Sequence, residues 1–145
     1  MKKINLAITG CLGRMGQQLI KSSKRAKNFK LVSITENRII NKKISGLRPQ
    51  LNSESAFKKA NIIIDFTIPK CTLEVLKIAS KLKKRVVIGT TGFSKKEEKL
   101  IKQKLKKLYK DYFLNGSQII NRTFNDKINK QSFWSNFDKK DLRNV

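Results

Sequence analysis

The chain has 145 residues, enough for one domain with a sizeable core but short for a complete enzyme acting on two substrates. Its 34 Lys and Arg against 10 Asp and Glu give a net charge of +24. The excess is spread, with 20 basic and 4 acidic residues in 1–93 and 14 and 6 in 94–145, so it reads as solvated lysine faces and excludes a single nucleic-acid patch.

The amino-terminal apolar run is about six residues long and stops at Gly10, too short for a signal or membrane segment, and nothing later is long enough to cross a bilayer. Cys11 and Cys71 lack metal-ligand spacing and the chain has no histidine, which excludes an ordinary zinc site and fits a reducing cytoplasm. Alternating apolar and small residues predict a first strand over Ile4–Thr9. A glycine turn follows, then a helix over Arg14–Lys24 that turns Met15, Leu19 and Ile20 inward. Leu31–Thr35 predicts a second strand closed by Glu36. Residues 37–52, with Gly46 and Pro49 among polar residues, read as a loop with a short strand near Ile39. Ser53 or Ser55 caps a short helix through Ala56 and Phe57.

The β-branched run Ile62–Phe66 predicts a strand buried on both faces of a parallel sheet, ended by Pro69. Leu73, Leu76, Ile78, Ala79 and Leu82 mark a helix, and Arg85–Gly89 a further buried strand. Ser94 with Glu97 forms a capping box. Ile101, Leu105, Leu108 and Tyr112 give the following helix one apolar stripe. Residues 113–145 are polar and asparagine-rich, with Phe124, Phe133, Trp134 and Phe137 at no regular period, and read as a weakly structured tail. The alternation of strand and helix implies an α/β fold with a doubly wound, mostly parallel, Rossmann-like sheet over residues 1–112.

Three segments carry chemistry. Gly10, Gly13 and Gly16 lie between strand and helix, an arrangement that aims backbone N–H groups and a helix dipole at one anion. The spacing departs from G-x-G-x-x-G, because Leu12 stands at the second glycine. A tight turn without a ligand is the competing reading. Arg14 opposes the helix dipole at an exposed site unless a pyrophosphate binds there; otherwise it points to water. Glu36, twenty residues after Gly16, can accept hydrogen bonds from adenosine ribose hydroxyls, or pair with Arg38. Gly89, Thr90, Thr91 and Gly92 follow a strand on the same sheet edge, where ligands of open α/β sheets bind. They let a flat ring approach the backbone, or form an ordinary capped turn. Asp65, Thr67 and Pro69 share that edge, with structural and functional roles equally open.

Taken together, G-C-L-G-R-M-G at 10–16, Glu36, D-F-T-I-P at 65–69 and G-T-T-G-F at 89–93 resemble the amino-terminal domain of bacterial 4-hydroxy-tetrahydrodipicolinate reductase, or dihydrodipicolinate reductase. The likeness runs in order over about residues 1–110. It implies a cytoplasmic NADH- or NADPH-dependent reductase of the diaminopimelate route to lysine, assembled as a homotetramer, that reduces 4-hydroxy-tetrahydrodipicolinate to tetrahydrodipicolinate. On that resemblance Gly10, Cys11, Leu12, Gly13, Arg14 and Met15 wrap the pyrophosphate, Glu36 holds the adenosine ribose, and Gly89, Thr90 and Thr91 border the nicotinamide. No metal is implied, and neither nucleic acid nor membrane is a partner.

Two departures qualify what this chain does. Family members often place an arginine directly after the acidic residue, where this chain has Asn37 and then Arg38, a lean towards NADH. The family also continues with an N-x-S-x-G-x-N segment and a second domain carrying S-H-H, a catalytic lysine and a P-S-G-T loop, none of which is present. The expectation is a truncated, monomeric cofactor-binding domain without catalytic residues or turnover of its own, whose tail arises from a frameshift after about Lys107. The alternative is a cofactor-binding or regulatory module that has no reaction.

Overall fold

The computed structural model describes residues 2–108, 112–115 and 118–121, and side chains as far as residue 104. Strands β1 (Ile4–Ile8), β2 (Phe29–Ile34), β3 (Ile62–Asp65) and β4 (Arg85–Ile88) alternate with helices α1 (Arg14–Arg25), α2 (Glu54–Phe57), α3 (Pro69–Lys81) and α4 (Lys95–Leu108). Two further strands, β5 (Tyr112–Asn115) and β6 (Gln118–Asn121), complete a sheet of order β2-β1-β3-β4-β6-β5. The first four strands run parallel, β6 pairs antiparallel to β4, and β5 antiparallel to β6. The expected doubly wound α/β fold is therefore the observed one.

The strand period of two sorts the core into two layers. Leu6 and Ile8 of β1, Ile62 and Ile64 of β3 and Val87 of β4 pack with Met15, Leu19 and Ile20 of α1. On the opposite face Ala7, Ile63, Val86 and Ile88 meet Phe57 of α2, Val75, Leu76 and Ala79 of α3, and Ile101 of α4. The apolar stripe predicted on α4 is thus anchored by Ile101. Because α1 leaves β1 over one face and α3 leaves β3 over the other, a crevice opens between the carboxyl ends of β1 and β3. This switch in winding is where ligands enter such sheets.

Local chemistry explains the element ends. Pro69 occupies the first turn of α3, where its missing N–H does no harm. The Ser53 hydroxyl accepts from Ala56 N–H to start α2, and Ser94 and Glu97 exchange the two bonds of a capping box at α4.

Three expectations change. The strand near Ile39 does not form, and Ile39 is 78% exposed. The loop instead returns to β2 through Glu36 N–H to Gln50 O and Gln50 N–H to Ile34 O. The last helix ends at Leu108, not Tyr112, and Tyr112 opens β5. The hairpin β5–β6 lies partly within the stretch read as a weakly structured tail; residues 122–145 lie outside those described.

The layer between sheet and α3 depends on few large side chains, so Leu76→Ala, at a site with no exposed surface, is expected to cost about 2–5 kcal/mol in urea unfolding.

Candidate functional site

The β1–α1 turn is held by glycine where nothing else fits. Gly10 has φ +61°, and a Cβ there would stand 2.8 Å from the Thr67 methyl. A Cβ on Gly16 would lie 2.0 Å from the Gly10 carbonyl oxygen, so the first turn of α1 rests directly on the glycine turn. Leu12, at the position where G-x-G-x-x-G has glycine, is half-buried and packs against the α1 layer of the core. The departure in spacing is a packing contact.

The turn uses up some of its own donors. Cys11 N–H donates to Thr35 O at 3.0 Å, and Gly13 N–H to Gly10 O at 3.0 Å. Leu12 N–H donates to Glu36 Oε2 at 3.1 Å. Beyond these, Gln17 N–H reaches Gly13 O at 3.0 Å. The N–H groups of Arg14, Met15 and Gly16 have no acceptor among the described residues. They are the orphan donors of a helix start. No side chain caps this end and no acidic residue stands in its first turn. Arg14 is exposed there, whereas the side chains of Cys11 and Met15 are buried, so these two residues present only backbone to the crevice.

Glu36 follows β2 and sits beside that turn. Its Oε1 accepts from Asn37 N–H at 2.9 Å while Oε2 holds Leu12. Among the described residues no ion pair joins it to Arg38. Each carboxylate oxygen keeps a further lone pair for an incoming hydroxyl.

The other wall is organised by Asp65, which is fully buried. Its Oδ1 accepts from the Thr9 hydroxyl at 2.5 Å and the Thr67 hydroxyl at 2.8 Å. Its Oδ2 accepts from the Thr72 hydroxyl and, at 3.2 Å, from the Thr90 hydroxyl. Thr67 N–H donates to Thr90 Oγ1 at 2.9 Å, and Gly89 N–H to Asp65 O at 2.8 Å. Of the residues expected to border a flat ring, Gly89 and Thr90 are therefore buried and engaged internally, and Thr91 is exposed. A Cβ on Gly89 would fall 1.9 Å from the Phe66 ring, which gives that glycine a packing reason of its own.

The structure brings Gly10 to Met15 together with Glu36 on one side of the crevice. Gly89 to Thr91 reach it through Thr67, which touches both Gly10 and Thr90. Thr9 and Thr72 were not singled out in the sequence; the only signal for Thr9 was a threonine just beyond the apolar core of each parallel strand, and Thr72, inside α3, had none. Among the described residues no group of acidic, cysteine or histidine side chains could hold a metal ion, and no helix is long and apolar enough to cross a membrane.

Burial, reinforced by the nearby Glu36 charge, pushes the Cys11 thiol up to about 11. Burial also raises the Cys71 thiol.

Comparison with known proteins agrees with the fold. Residues 4–113 match the family described as dihydrodipicolinate reductase, N-terminus. The chain is 72% identical over 103 residues to a 4-hydroxy-tetrahydrodipicolinate reductase of Pelagibacter ubique (strain HTCC1062), covering 71% of this chain and 40% of that protein. It is 40% identical over 121 residues to the enzyme of that name from Buchnera aphidicola subsp. Baizongia pistaciae, covering 74% and 44%. The chain thus spans under half the length of these curated relatives. Among solved structures, a dipicolinate-bound dihydrodipicolinate reductase from Paenisporosarcina sp. TG-14 superposes with a TM-score of 0.54 at 27% identity, over 70% of this chain and 43% of that one. A pyrroline carboxylate reductase of Plasmodium falciparum with NADP bound shares the fold at a TM-score of 0.50 and 20% identity, over 74% of this chain and 38% of that one.

Gly16→Ala is expected to push α1 off the turn, costing about 1–3 kcal/mol in chemical denaturation. The raised Cys11 thiol favours the folded state while it stays protonated. Its contribution, about 2–3 kcal/mol, is present below the ordinary thiol value of 9.0 and lost as pH rises through about 11. Unfolding curves of wild type and Cys11→Ala should accordingly converge between those two pH values.

Proposed function

The chain belongs to the dihydrodipicolinate reductase family, with residues 4–113 matching its amino-terminal domain, and on that premise we propose that it supplies the dinucleotide site of an NADH- or NADPH-dependent 4-hydroxy-tetrahydrodipicolinate reductase. The observation that carries this reading is the start of α1: three backbone donors without an acceptor, no capping side chain, and Arg14 at the positive end of the dipole. A diphosphate fits these groups, since it accepts from Arg14, Met15 and Gly16 N–H and removes the penalty of Arg14. Glu36 would accept from the adenosine ribose hydroxyls. Thr91 and the backbone of Gly89 and Thr90 would border the nicotinamide.

When bound, the reduced cofactor supplies a hydride. The residues of this chain bind and orient it. No residue of this chain is assigned to bind the imine or to donate its proton, and the chain contains no histidine. The reading therefore assigns turnover to a partner segment that binds the imine, with this chain alone as the cofactor-holding half.

Between the two cofactors NADH is the better fit. A 2′-phosphate would meet the Glu36 carboxylate, and the residue that follows is the neutral Asn37. Like charges repel there, and no cation directly follows Glu36 to offset them.

Thermal and chemical unfolding with each cofactor tests this. NADH at one hundred times its dissociation constant should stabilise the fold by about 2.7 kcal/mol. NADPH should do so only at higher concentration, and imine-dependent oxidation of NADH by this chain alone should be absent. No stabilisation by either at millimolar concentration, alongside tight and salt-sensitive DNA binding, would replace the reductase reading with a nucleic-acid one.

A further inference from the structure

We propose that Glu36 is a positioning residue for the phosphate turn as well as a reader of ribose, so that it couples the two ends of the dinucleotide site. The proposal rests on the reading of that site given above, but it concerns the turn before any ligand arrives.

The Leu12 residue is held from both of its peptide groups. Its N–H donates to Glu36 Oε2 at 3.1 Å, and its carbonyl accepts from Gln17 Nε2 at 2.9 Å. Cys11 N–H, one residue earlier, donates to Thr35 O. The turn between β1 and α1 is thus tied to the end of β2 at two consecutive residues, and the second tie is a side chain. Downstream, Gly13 closes on Gly10 O and Gln17 N–H on Gly13 O. The direction in which Arg14, Met15 and Gly16 point their free N–H groups follows from this chain of bonds. Glu36 is itself fixed, because Oε1 is occupied by Asn37 N–H and its own N–H by Gln50 O. The carboxylate is therefore not a free arm that closes on a ribose. It is a strut between β2 and the turn.

A carboxylate suits this role and an amide does not. Two backbone N–H groups converge on two oxygens, so Glu36→Gln must turn its NH2 towards one of them. Leu12 N–H or Asn37 N–H then faces a donor. Electrostatics gives the opposite expectation for a mere ribose reader: removing a negative charge beside an anion site should leave the phosphate end unchanged or improve it.

Two measurements on the chain as it stands decide the matter. The first is amide hydrogen exchange of the ligand-free protein for wild type, Glu36→Ala and Glu36→Gln. A charge-assisted bond of this kind shifts a local opening equilibrium about tenfold or more, so Gly13 and Gln17 amides should exchange about tenfold faster in both variants, with Val86–Ile88 unchanged. Exchange at Gly13 and Gln17 equal to wild type overturns the strut. The second is affinity for NADH and for its analogue lacking the 2′- and 3′-hydroxyls of the adenosine ribose. The strut requires Glu36→Ala to weaken both, about tenfold or more. If only NADH weakens and the analogue binds as to wild type, Glu36 reads ribose alone and the proposal falls. Should neither ligand bind the wild type, the cofactor reading fails, while the exchange experiment still decides the role of Glu36.

Discussion

One buried carboxylate sets the geometry of the crevice. Asp65 has no exposed surface, yet its two oxygens accept from four threonine hydroxyls: Thr9 just beyond β1, Thr67 just beyond β3, Thr72 in α3 and Thr90 just beyond β4. A carboxylate taken out of water costs several kcal/mol unless its lone pairs are met, and about four sites are available. Here four donors meet them. The arrangement is stable as a set and costly to break singly, because removing one hydroxyl leaves a buried charge partly unmatched. Three strand ends and the helix that crosses between them are drawn to one point.

The glycine turn depends on that point at second hand. Thr67 is held by Asp65 through its hydroxyl and by Thr90 through its N–H. Its methyl lies where a side chain on Gly10 would be. Gly10 in turn presents the carbonyl on which Gly16 rests. Asp65 therefore sets, through two van der Waals contacts, where α1 begins. Rigidity of this kind favours binding, since donors already aimed at an anion need no ordering when it arrives. Thr90 illustrates the other side of the same constraint: its hydroxyl is used in holding the wall, which leaves Thr91 to face outward.

The layers of the fold were legible because burial leaves a periodic trace. Ile62, Ile63 and Ile64 form an unbroken apolar run and are all buried, as a parallel strand covered on both faces requires. Met15, Leu19 and Ile20 share one face of α1 for the same reason. The glycine turn was legible as well, with Leu12 as its one irregularity; only the tertiary contact of Leu12 with the core explains it. The Asp65 network was not legible, since hydroxyl partners from positions 9, 67, 72 and 90 are far apart in sequence and threonine also suits strands on propensity alone. The loop from 37 to 52 misled because Ile39 is apolar and β-branched, while the chain returns to β2 by backbone bonds at Gln50 that carry no side-chain signal. Beyond α4 the stripe ending in Tyr112 continued a helical period across what is a change of element. Gly116-Ser117, between the strands Tyr112–Asn115 and Gln118–Asn121, was the short hairpin signal that the polar composition around it obscured.

The four helix starts make the case for an anion by difference. α2 is capped by Ser53 and carries Glu54 in its first turn; α4 is capped by Ser94 and Glu97. Each satisfies part of its orphan donors and its dipole from within the chain. α3 removes one donor by placing Pro69 in its first turn. α1 does none of these things, and like α3 with Lys70 and α4 with Lys95 and Lys96 it carries a cation in its first turn, there with no acidic residue or cap beside it. Of the four starts, α1 leaves the most first-turn donors without an acceptor among the described residues, those of Arg14, Met15 and Gly16. The opening lies at the mouth of the β1–β3 crevice, beside a carboxylate fixed within reach of it, and a dianionic linker attached to a ribose answers both features at once. A lone phosphate would answer only the first.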